Sequence, residues 1–445
     1  MAACLSGQSG LERGHAIRVR ATRDLRMTRQ TRNGRKALML MGRHAAELVW
    51  SCTSAVVSAM LVLTACSGSQ ADTQIRPAPA DDTVAVQQAV DRGGVVRFDS
   101  HTYNLSRTIV IRHSGTVIQG VGPQTLFKYN ASATLSHCAN DRVFTTPCEI
   151  NDTAPRRIAR AIAIGDQSFI STDDVSDLQS GDWLIVKDTD SVIGDVVTID
   201  WVQVESVSGL EVRVRTPFRT AFTTAREWTP GQSGLGFQRV VSLVENTEFH
   251  DFSIAVPDAG PNTLAVGISV FAALHTTIDH VSVHSFRAQP LYSYLSKGVT
   301  ITNCSARGNS VLSEFAATVD LTLHNDQFSE SDAAAFGLDL GTAFFNVTDS
   351  HTVLSRNIGA YLLYGVHDGI FTNNQIAWVN SAVNAVGILV EGAQNISISD
   401  NYLAGGDGSQ STAIVTRDTL GEFDIPSVNV TISDNLFGGG WGMHY

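Results

Sequence analysis

The chain has 445 residues and a formal net charge of −12 at pH 7. Residues 1–65 hold ten Lys/Arg against three Asp/Glu, a net of +7, so the remaining residues carry −19. A surface this acidic repels nucleic acid, which excludes nucleic-acid binding from the expected functions, and it has no general attraction for anionic polymers.

The N-terminal region has the order of an export signal. A basic stretch, residues 1–40, precedes the apolar run 55–63, which leads into Leu63-Thr64-Ala65-Cys66. This tetrapeptide resembles the bacterial lipoprotein signal box, and the resemblance implies that Cys66 is lipidated and becomes the new N-terminus. An ordinary signal peptide or a single membrane anchor is the alternative, although the run is short for a membrane span. We expect a cell-envelope protein held to the membrane by lipid, with residues 66–80 as a linker.

Residues 81–160 are predicted to form an N-terminal cap and the first coils of a repeating fold. Asp81-Asp82-Thr83 is typical of a helix N-terminus, and Gly93-Gly94 ends the predicted helix, which runs through Val90. Short β-branched segments follow. This order resembles the capping region of many carbohydrate-active β-helices, where the helix covers the open end of the solenoid.

Three cysteines beyond Cys66 have predicted roles. Cys138 and Cys148 lie ten positions apart in a polar segment. In an oxidising envelope they predict a disulfide, with two unrelated thiols as the alternative. Cys304 directly follows an Asn and is predicted to be a buried small hydrophobe.

Residues 161–239 interrupt the repeat. The segments 183–186, 201–207 and 210–214 have strong strand patterns, with the alternation of apolar and polar residues clearest in 210–214. Period-two alternation predicts β-strands, and the turn signal Ser208-Gly209 predicts a hairpin. We therefore expect a small antiparallel β insertion, which either walls one end of a cleft or is an inert addition.

Residues 240–445 contain a weak internal repeat of short β-branched segments. Each segment ends in a polar residue, and these recur at intervals of 22 to 34 residues: Asp251, His280, Asn303, Asn325, Asp349, Asn373, Asp400 and Asp434. A period in the low twenties without a helical pattern predicts a solenoid whose coils must stack to bury their apolar faces. Asn and Asp tolerate the left-handed backbone conformation that tight turns require.

The repeat resembles the pectin-lyase-like superfamily, over residues 80 to 440. The resemblance implies an all-β, right-handed parallel β-helix, with three strands in each coil and an Asn-rich turn between the second and third. It does not fix the reaction, because the superfamily holds lyases, hydrolases, epimerases and adhesins. The polygalacturonase motifs are absent. Ile278-Asp279-His280 is similar to the end of the pectate lyase Trp-Ile-Asp-His signature, but we interpret it as a structural turn.

Chemistry in this fold usually lies along the first strand of each coil, where side chains of successive coils line a groove. Alternation predicts that Glu314, Asp339 and Glu391 point outward on these strands. Glu314 and Asp339 are expected on adjacent coils, with carboxylates at about 5 Å or slightly more, and Glu391 about 10 Å beyond Asp339. Paired carboxylates divide acid and base or nucleophile roles when their environments differ. Solvated surface charges are the alternative.

Four further residues are candidates for substrate binding. Tyr292 and Tyr294 are predicted to face outward one coil before Glu314, where aromatic rings stack against sugars. Arg417 is predicted on the side of Glu391, and Lys297 is an available cation.

The sequence predicts an enzyme that acts on a polysaccharide, with hydrolysis favoured over a lyase or epimerase reaction. No cofactor is required, although paired carboxylates also suit calcium. A non-catalytic carbohydrate-binding or surface-structural β-helix is the alternative. The sequence does not predict the oligomeric state.

The lipid anchor can be tested directly. Cys66→Ser removes the acylated thiol and is expected to release the protein from the membrane fraction, as measured by fractionation and intact mass. A wild-type protein without a lipid mass increment, or a variant that stays with the membrane, would contradict the assignment.

Overall fold

A computed structural model gives the fold. The structure describes residues 73–75, 81–130, 142–147, 155–190, 195–224, 234–256, 266–285, 289–308, 312–329, 334–354, 358–378, 385–419 and 425–442. Cys66, Cys138 and Cys148 lie outside the described residues, so lipidation and the disulfide stay predictions. Within the described part of the chain, no helix is long and apolar enough to cross a membrane.

The N-terminal part contains one helix and short strands. In chain order these are β1 (Thr73–Ile75), α1 (Thr83–Val90), β2 (Val95–Phe98), β3 (Thr102–Leu105), β4 (Ile109–Val110), β5 (Val117–Gln119), β6 (Leu126–Tyr129) and β7 (Arg142–Thr145). Helix α1 packs Val86 and Val90 into the core of the solenoid, as the predicted cap requires. At its N-terminus, the Asp81 side chain accepts the Thr83 backbone N–H at 2.9 Å.

The predicted insertion is present as a separate antiparallel sheet. Its strands are β8 (Arg156–Arg157), β9 (Ser168–Ile170), β10 (Trp183–Asp190), β11 (Asp195–Ser208), β12 (Glu211–Val214) and β13 (Gly234–Arg239). They pair in the order β8-β13-β10-β11-β12-β9. The sheet has its own apolar core, which includes Leu184, Val202, Val212 and Phe237. The run 183–186 is apolar throughout because β10 is buried on both faces, Leu184 and Val186 in this core and Ile185 on the opposite face.

The remaining strands form the coils. They are β14 (Val244–Glu245), β15 (Glu248–Val256), β16 (Val266–Phe271), β17 (Ala273–Ser285), β18 (Leu291–Tyr294), β19 (Lys297–Thr302), β20 (Ser305–Gly308), β21 (Ser313–Ala316), β22 (Thr322–His324), β23 (Gln327–Ser329), β24 (Ala334–Asp339), β25 (Asn346–Thr348), β26 (His351–Leu354), β27 (Ile358–Leu363), β28 (His367–Thr372), β29 (Gln375–Trp378), β30 (Val386–Glu391), β31 (Gln394–Ser399), β32 (Tyr402–Arg417), β33 (Thr431–Ser433) and β34 (Leu436–Gly442).

The coils stack into a right-handed parallel β-helix of about 11 turns, which confirms the predicted fold. What we call the first-strand sheet pairs β4, β7, β16, β18, β21, β24, β27, β30 and the end of β32, all in parallel. The insertion lies between β7 and β14, so it leaves the solenoid where a first strand passes to the second strand of its coil.

The core is a set of apolar columns that run along the solenoid. Phe315 pairs with Leu338, Leu338 with Leu362, and Leu362 with Val390, one residue from each coil. All four side chains are completely buried. Because every coil places its apolar residues over those of its neighbours, a single coil has no core of its own.

The predicted turn residues are confirmed. Asp251, His280, Asn303, Asn325, Asp349, Asn373, Asp400 and Asp434 have φ between 52° and 59°. Their side chains also form the expected contacts between turns. The Asn325 amide donates to Asn303 at 2.7 Å, and the Asn303 amide donates to Asp279 at 2.8 Å. Asn373 donates to Asp349 in the same way.

A second, buried ladder follows one residue later in the chain and was not predicted. It contains Cys304, Asp326, Ser350, Asn374, Asn401 and Asn435. In its most regular part, Asn374 accepts the Ser350 backbone N–H at 2.9 Å and donates to the Val347 carbonyl at 2.9 Å. The ladder thereby satisfies backbone groups that the tight turn would leave buried and unpaired. Cys304 is 3% exposed, as predicted, and burial raises the pKa of its thiol.

Asp326 is the one ionisable carboxyl in this ladder. It accepts the backbone N–H groups of Cys304 at 2.8 Å and His324 at 3.1 Å. Burial raises the pKa of Asp326 to about 8 despite these hydrogen bonds, and the nearby Asp279 adds to the rise. A carboxyl with a raised pKa stabilises the fold at low pH, and this stability is lost as the pH rises from about 4 to about 8.

Asp326→Asn is therefore expected to raise the melting midpoint most at pH 8.5 and much less at pH 5. Asn matches the next ladder positions, and it removes a buried charge that costs on the order of 3 kcal/mol at alkaline pH. The same substitution at the exposed Asp400 is the control and is expected to change the midpoint little at either pH. Equal effects at pH 5 and pH 8.5 would contradict the prediction.

Candidate functional site

The outward face of the first-strand sheet carries a row of side chains that includes Glu314. Tyr292 of β18 pairs with Glu314 of β21, Glu314 with Gly337 of β24, and Gly337 with Tyr361 of β27. A Cβ atom on Gly337 would collide with the Tyr361 ring. Because residue 337 is glycine, the Tyr361 ring can lie over β24, the strand between Tyr361 and Glu314.

A second outward row lies two residues further along the same strands. Tyr294 pairs with Ala316, and Ala316 pairs with Asp339. Glu314 and Asp339 are therefore on one face and on adjacent coils, as predicted, but they are diagonal neighbours and not directly opposite. Period-two alternation predicted the shared face but not this register, because a shift of two residues keeps the face.

Glu314 is half-buried, and its carboxyl accepts a hydrogen bond from the Gln289 amide. Burial raises the pKa of Glu314 to about 7, and the nearby Asp195 contributes to the rise. The Gln289 contact lowers the pKa by a smaller amount. Glu314 thus holds its proton near neutral pH, which is the state required of a general acid.

Asp339 is only 8% exposed and accepts the Leu340 backbone N–H at 2.7 Å. Burial raises the pKa of Asp339 well above its usual range, and the neighbouring Glu314 raises it further. The interpretation of this residue as a solvated surface charge is therefore wrong. Alternation with Leu338 predicts that Leu340, the residue after Asp339, lies in the core. Leu340 instead has φ 52° in a turn, and it packs against the insertion.

A third carboxyl comes from the insertion and was not predicted. Asp195 begins β11, is 8% exposed, and accepts the Tyr294 hydroxyl at 3.0 Å. Burial raises the pKa of Asp195 to about 6. No pattern in the sequence relates Asp195 to the coils, because its contact with Tyr294 depends on how the insertion docks on the solenoid.

Aromatic rings and cations border the carboxyls. The rings of Tyr292 and Tyr294 are nearly parallel, at 16°, with centroids 6.3 Å apart. The Arg142 guanidinium lies 5.8 Å from the Tyr292 ring centroid. Lys187 of β10 is half-buried, and burial lowers the pKa of its ammonium group, although Asp195 opposes this change. The cluster thus combines acids, tyrosine rings and a lysine of lowered pKa.

The other predicted site residues lie elsewhere. Glu391 is two coils beyond Asp339, is 5% exposed, and forms an ion pair with Arg417 at 2.5 Å. Lys297 is not in the first-strand groove: it begins the second strand of its coil and pairs with Asp320 at 3.5 Å. The chain has already turned away from the first strand at this residue.

No metal centre is visible in the described residues, where no three His, Cys, Asp or Glu side chains are arranged to hold an ion. A polar depression of about 440 Å³ lies on the opposite edge, along the Asn turns, and includes His280, Asn303 and Asp349. It does not contain the carboxyl cluster. We assign the candidate site to the cluster because it brings three carboxyls and two tyrosine rings together on the outward face of the first-strand sheet.

Comparison with known proteins reveals similarity in fold. No family model and no curated protein matches the sequence. The tailspike protein gp49 of Pseudomonas phage LKA1 is 18% identical, over 76% of this chain and 57% of the tailspike, with a TM-score of 0.49. The AlgE6 A-module, a mannuronan C-5 epimerase of Azotobacter vinelandii, is 12% identical, over 81% and 96% of the two chains, with a TM-score of 0.40.

The surface protein and adhesin PfbA of Streptococcus pneumoniae is 12% identical, over 84% of this chain and 99% of its own, with a TM-score of 0.43. The present chain spans less than two thirds of the tailspike's length. The fold itself is given by the stacked coils described above.

The raised pKa of Glu314 predicts a pH-dependent effect of Glu314→Gln on stability. The proton on Glu314 stabilises the fold below about pH 4.5, and this contribution is lost as the pH rises towards 7. The variant is therefore expected to gain up to about 3 kcal/mol relative to wild type between pH 5 and pH 8, by urea unfolding. A pH-independent difference would show that Glu314 is solvated.

Proposed function

We propose that the protein binds a polysaccharide in the first-strand groove and hydrolyses it at the Asp195–Glu314–Asp339 cluster. One observation supports this most strongly: three carboxyls lie together beside two nearly parallel tyrosine rings, burial raises the pKa of each, and Glu314 and Asp195 raise that of Asp339 further. The tyrosine rings suit the apolar face of a sugar, and the carboxyls suit its scissile oxygen.

The roles follow from the environments of the carboxyls. Glu314 retains its proton near neutral pH and acts as the general acid towards the leaving oxygen. Asp339 titrates together with Glu314, and it acts as the base towards water when it is the ionised member of that pair. The separation of the two carboxyl groups decides between inversion, which requires about 6.5–9.5 Å so that water fits between them, and retention, which requires about 5 Å.

A lyase or epimerase reaction is the second candidate. Both reactions begin with removal of a carbon-bound proton by a base, and the lowered pKa of Lys187 beside Asp195 is the observation that favours them. A calcium ion that neutralises a substrate carboxylate would belong to this variant. Localisation at the bacterial envelope, through a lipid on Cys66, belongs to either proposal.

A panel of neutral and acidic polysaccharides separates the candidates. Hydrolysis is expected to release reducing ends without absorbance from unsaturated uronates, whereas a lyase produces both signals. An epimerase changes the sugar composition without shortening the chain. Assays with and without a calcium chelator test the calcium variant. Binding without any product would favour the carbohydrate-binding alternative.

Glu314→Gln and Asp339→Asn are each expected to lower kcat by two or more orders of magnitude, because each removes a titrating group from the cluster. The matched control is Glu205→Gln. Glu205 is an exposed carboxylate of β11 that pairs with Arg213 of β12. Two variants with full activity would exclude this cluster as the catalytic centre. Circular dichroism and melting curves check that each variant is folded.

A further inference from the structure

One face of the insertion packs directly on the solenoid. Ile185, Ile199 and Trp201 of the insertion form an apolar cluster with Leu295 and Ala317 of the coil turns. This face of β10 also includes position 187, because side chains on alternate residues share a face.

Close backbone contacts fix the insertion in place. Gly341 and Gly365, at φ 75° and 84°, lie against the Val197 backbone, where an added Cβ would collide. Arg219 lies 3.6 Å above the Phe344 ring centroid and pairs with Asp320 at 2.6 Å. Apolar, steric and ionic contacts therefore all hold the insertion beside the C-terminal ends of the first strands.

This docking brings Asp195 to the carboxyl cluster. Asp195 accepts hydrogen bonds from the Tyr294 hydroxyl at 3.0 Å and from the backbone N–H of Val196 at 2.9 Å. Titratable groups from both parts of the fold surround Asp195. Lys187 of the insertion acts on Asp195, and Asp195 in turn raises the pKa of Glu314 and Asp339 of the solenoid. Among the described residues, no arginine forms an ion pair with Asp195.

We propose that the insertion is an integral part of the substrate site, and that Asp195 is its positioning residue. Asp195 holds the Tyr294 hydroxyl next to the Glu314–Asp339 pair, so the polysaccharide lies along the first-strand sheet with the insertion as one wall of its site. This inference rests on the proposed function. An inert insertion has no reason to bury a carboxyl beside two others, because an unneutralised buried charge destabilises the fold.

A first experiment tests the juxtaposition without substrate. Melting midpoints are measured at pH 5.5 and pH 8 for wild type, Asp195→Asn, Glu314→Gln and the double variant. If the two carboxyls face each other, Glu314→Gln raises the pH 8 midpoint by a smaller amount in the Asp195→Asn background than in wild type, and the remaining rise reflects burial alone. Additive shifts overturn the inference whether or not the protein is active. Glu205→Gln in place of Asp195→Asn is the additive control.

A second experiment tests the role. Asp195→Asn is expected to lower kcat about tenfold or more and to move the alkaline limb of the pH profile down by about one unit, because the charge facing Glu314 is lost. Tyr294→Phe removes the hydroxyl that Asp195 accepts, and the double variant is expected to be no worse than Asp195→Asn alone. A wild-type pH profile in Asp195→Asn overturns the inference.

The two proposals fail separately. A wild-type protein that is inactive on every polysaccharide, with a non-additive melting cycle, overturns the hydrolase proposal and supports the juxtaposition of Asp195 and Glu314. An active wild type with an additive cycle supports the hydrolase proposal and overturns the assignment of Asp195.

Discussion

The structure depends on the vertical register of its coils, and the buried turn ladder sets that register. Each coil reverses direction in a tight turn whose backbone groups are removed from water. Asn374 and Asn401 satisfy these groups by hydrogen bonds to the coils above and below. Since unsatisfied buried groups are costly, one alignment of neighbouring coils is strongly favoured. The same alignment decides which outward side chains become neighbours across the first-strand sheet.

The sequence predicted the parts of the fold that have local signals. Asn and Asp mark left-handed turn positions because their side chains tolerate that conformation, and alternation marks strands with one buried face. A second set of left-handed residues follows the first strands and includes Ala272, Leu295 and Leu340. These apolar residues carry no turn signal. Their conformation is imposed by packing against the insertion, which local patterns do not encode.

Only part of the candidate site was predictable, for a related reason. Alternation placed Glu314 and Asp339 on the outward face, because an inward acid would be unpaired in an apolar core. It did not give their register, since a shift of two residues keeps the face and changes the neighbour. Asp195 was beyond reach altogether. It meets Tyr294 only through the docking of a separate sheet, and neither partner carries a motif.

The contrast between two groups of acids along the groove indicates where chemistry is most plausible. Glu391 is buried, but Arg417 neutralises it at 2.5 Å, so this pair is sufficient as a structural contact. Among the described residues, Glu314 and Asp339 form no ion pair with Lys or Arg, although burial and mutual repulsion disfavour their charges. One arginine in place of a nearby neutral residue would remove that penalty. Two coils away, the fold supplies Arg417 as a partner for Glu391, whereas Glu314 and Asp339 hold protons instead. This arrangement is expected where proton transfer matters more than stability.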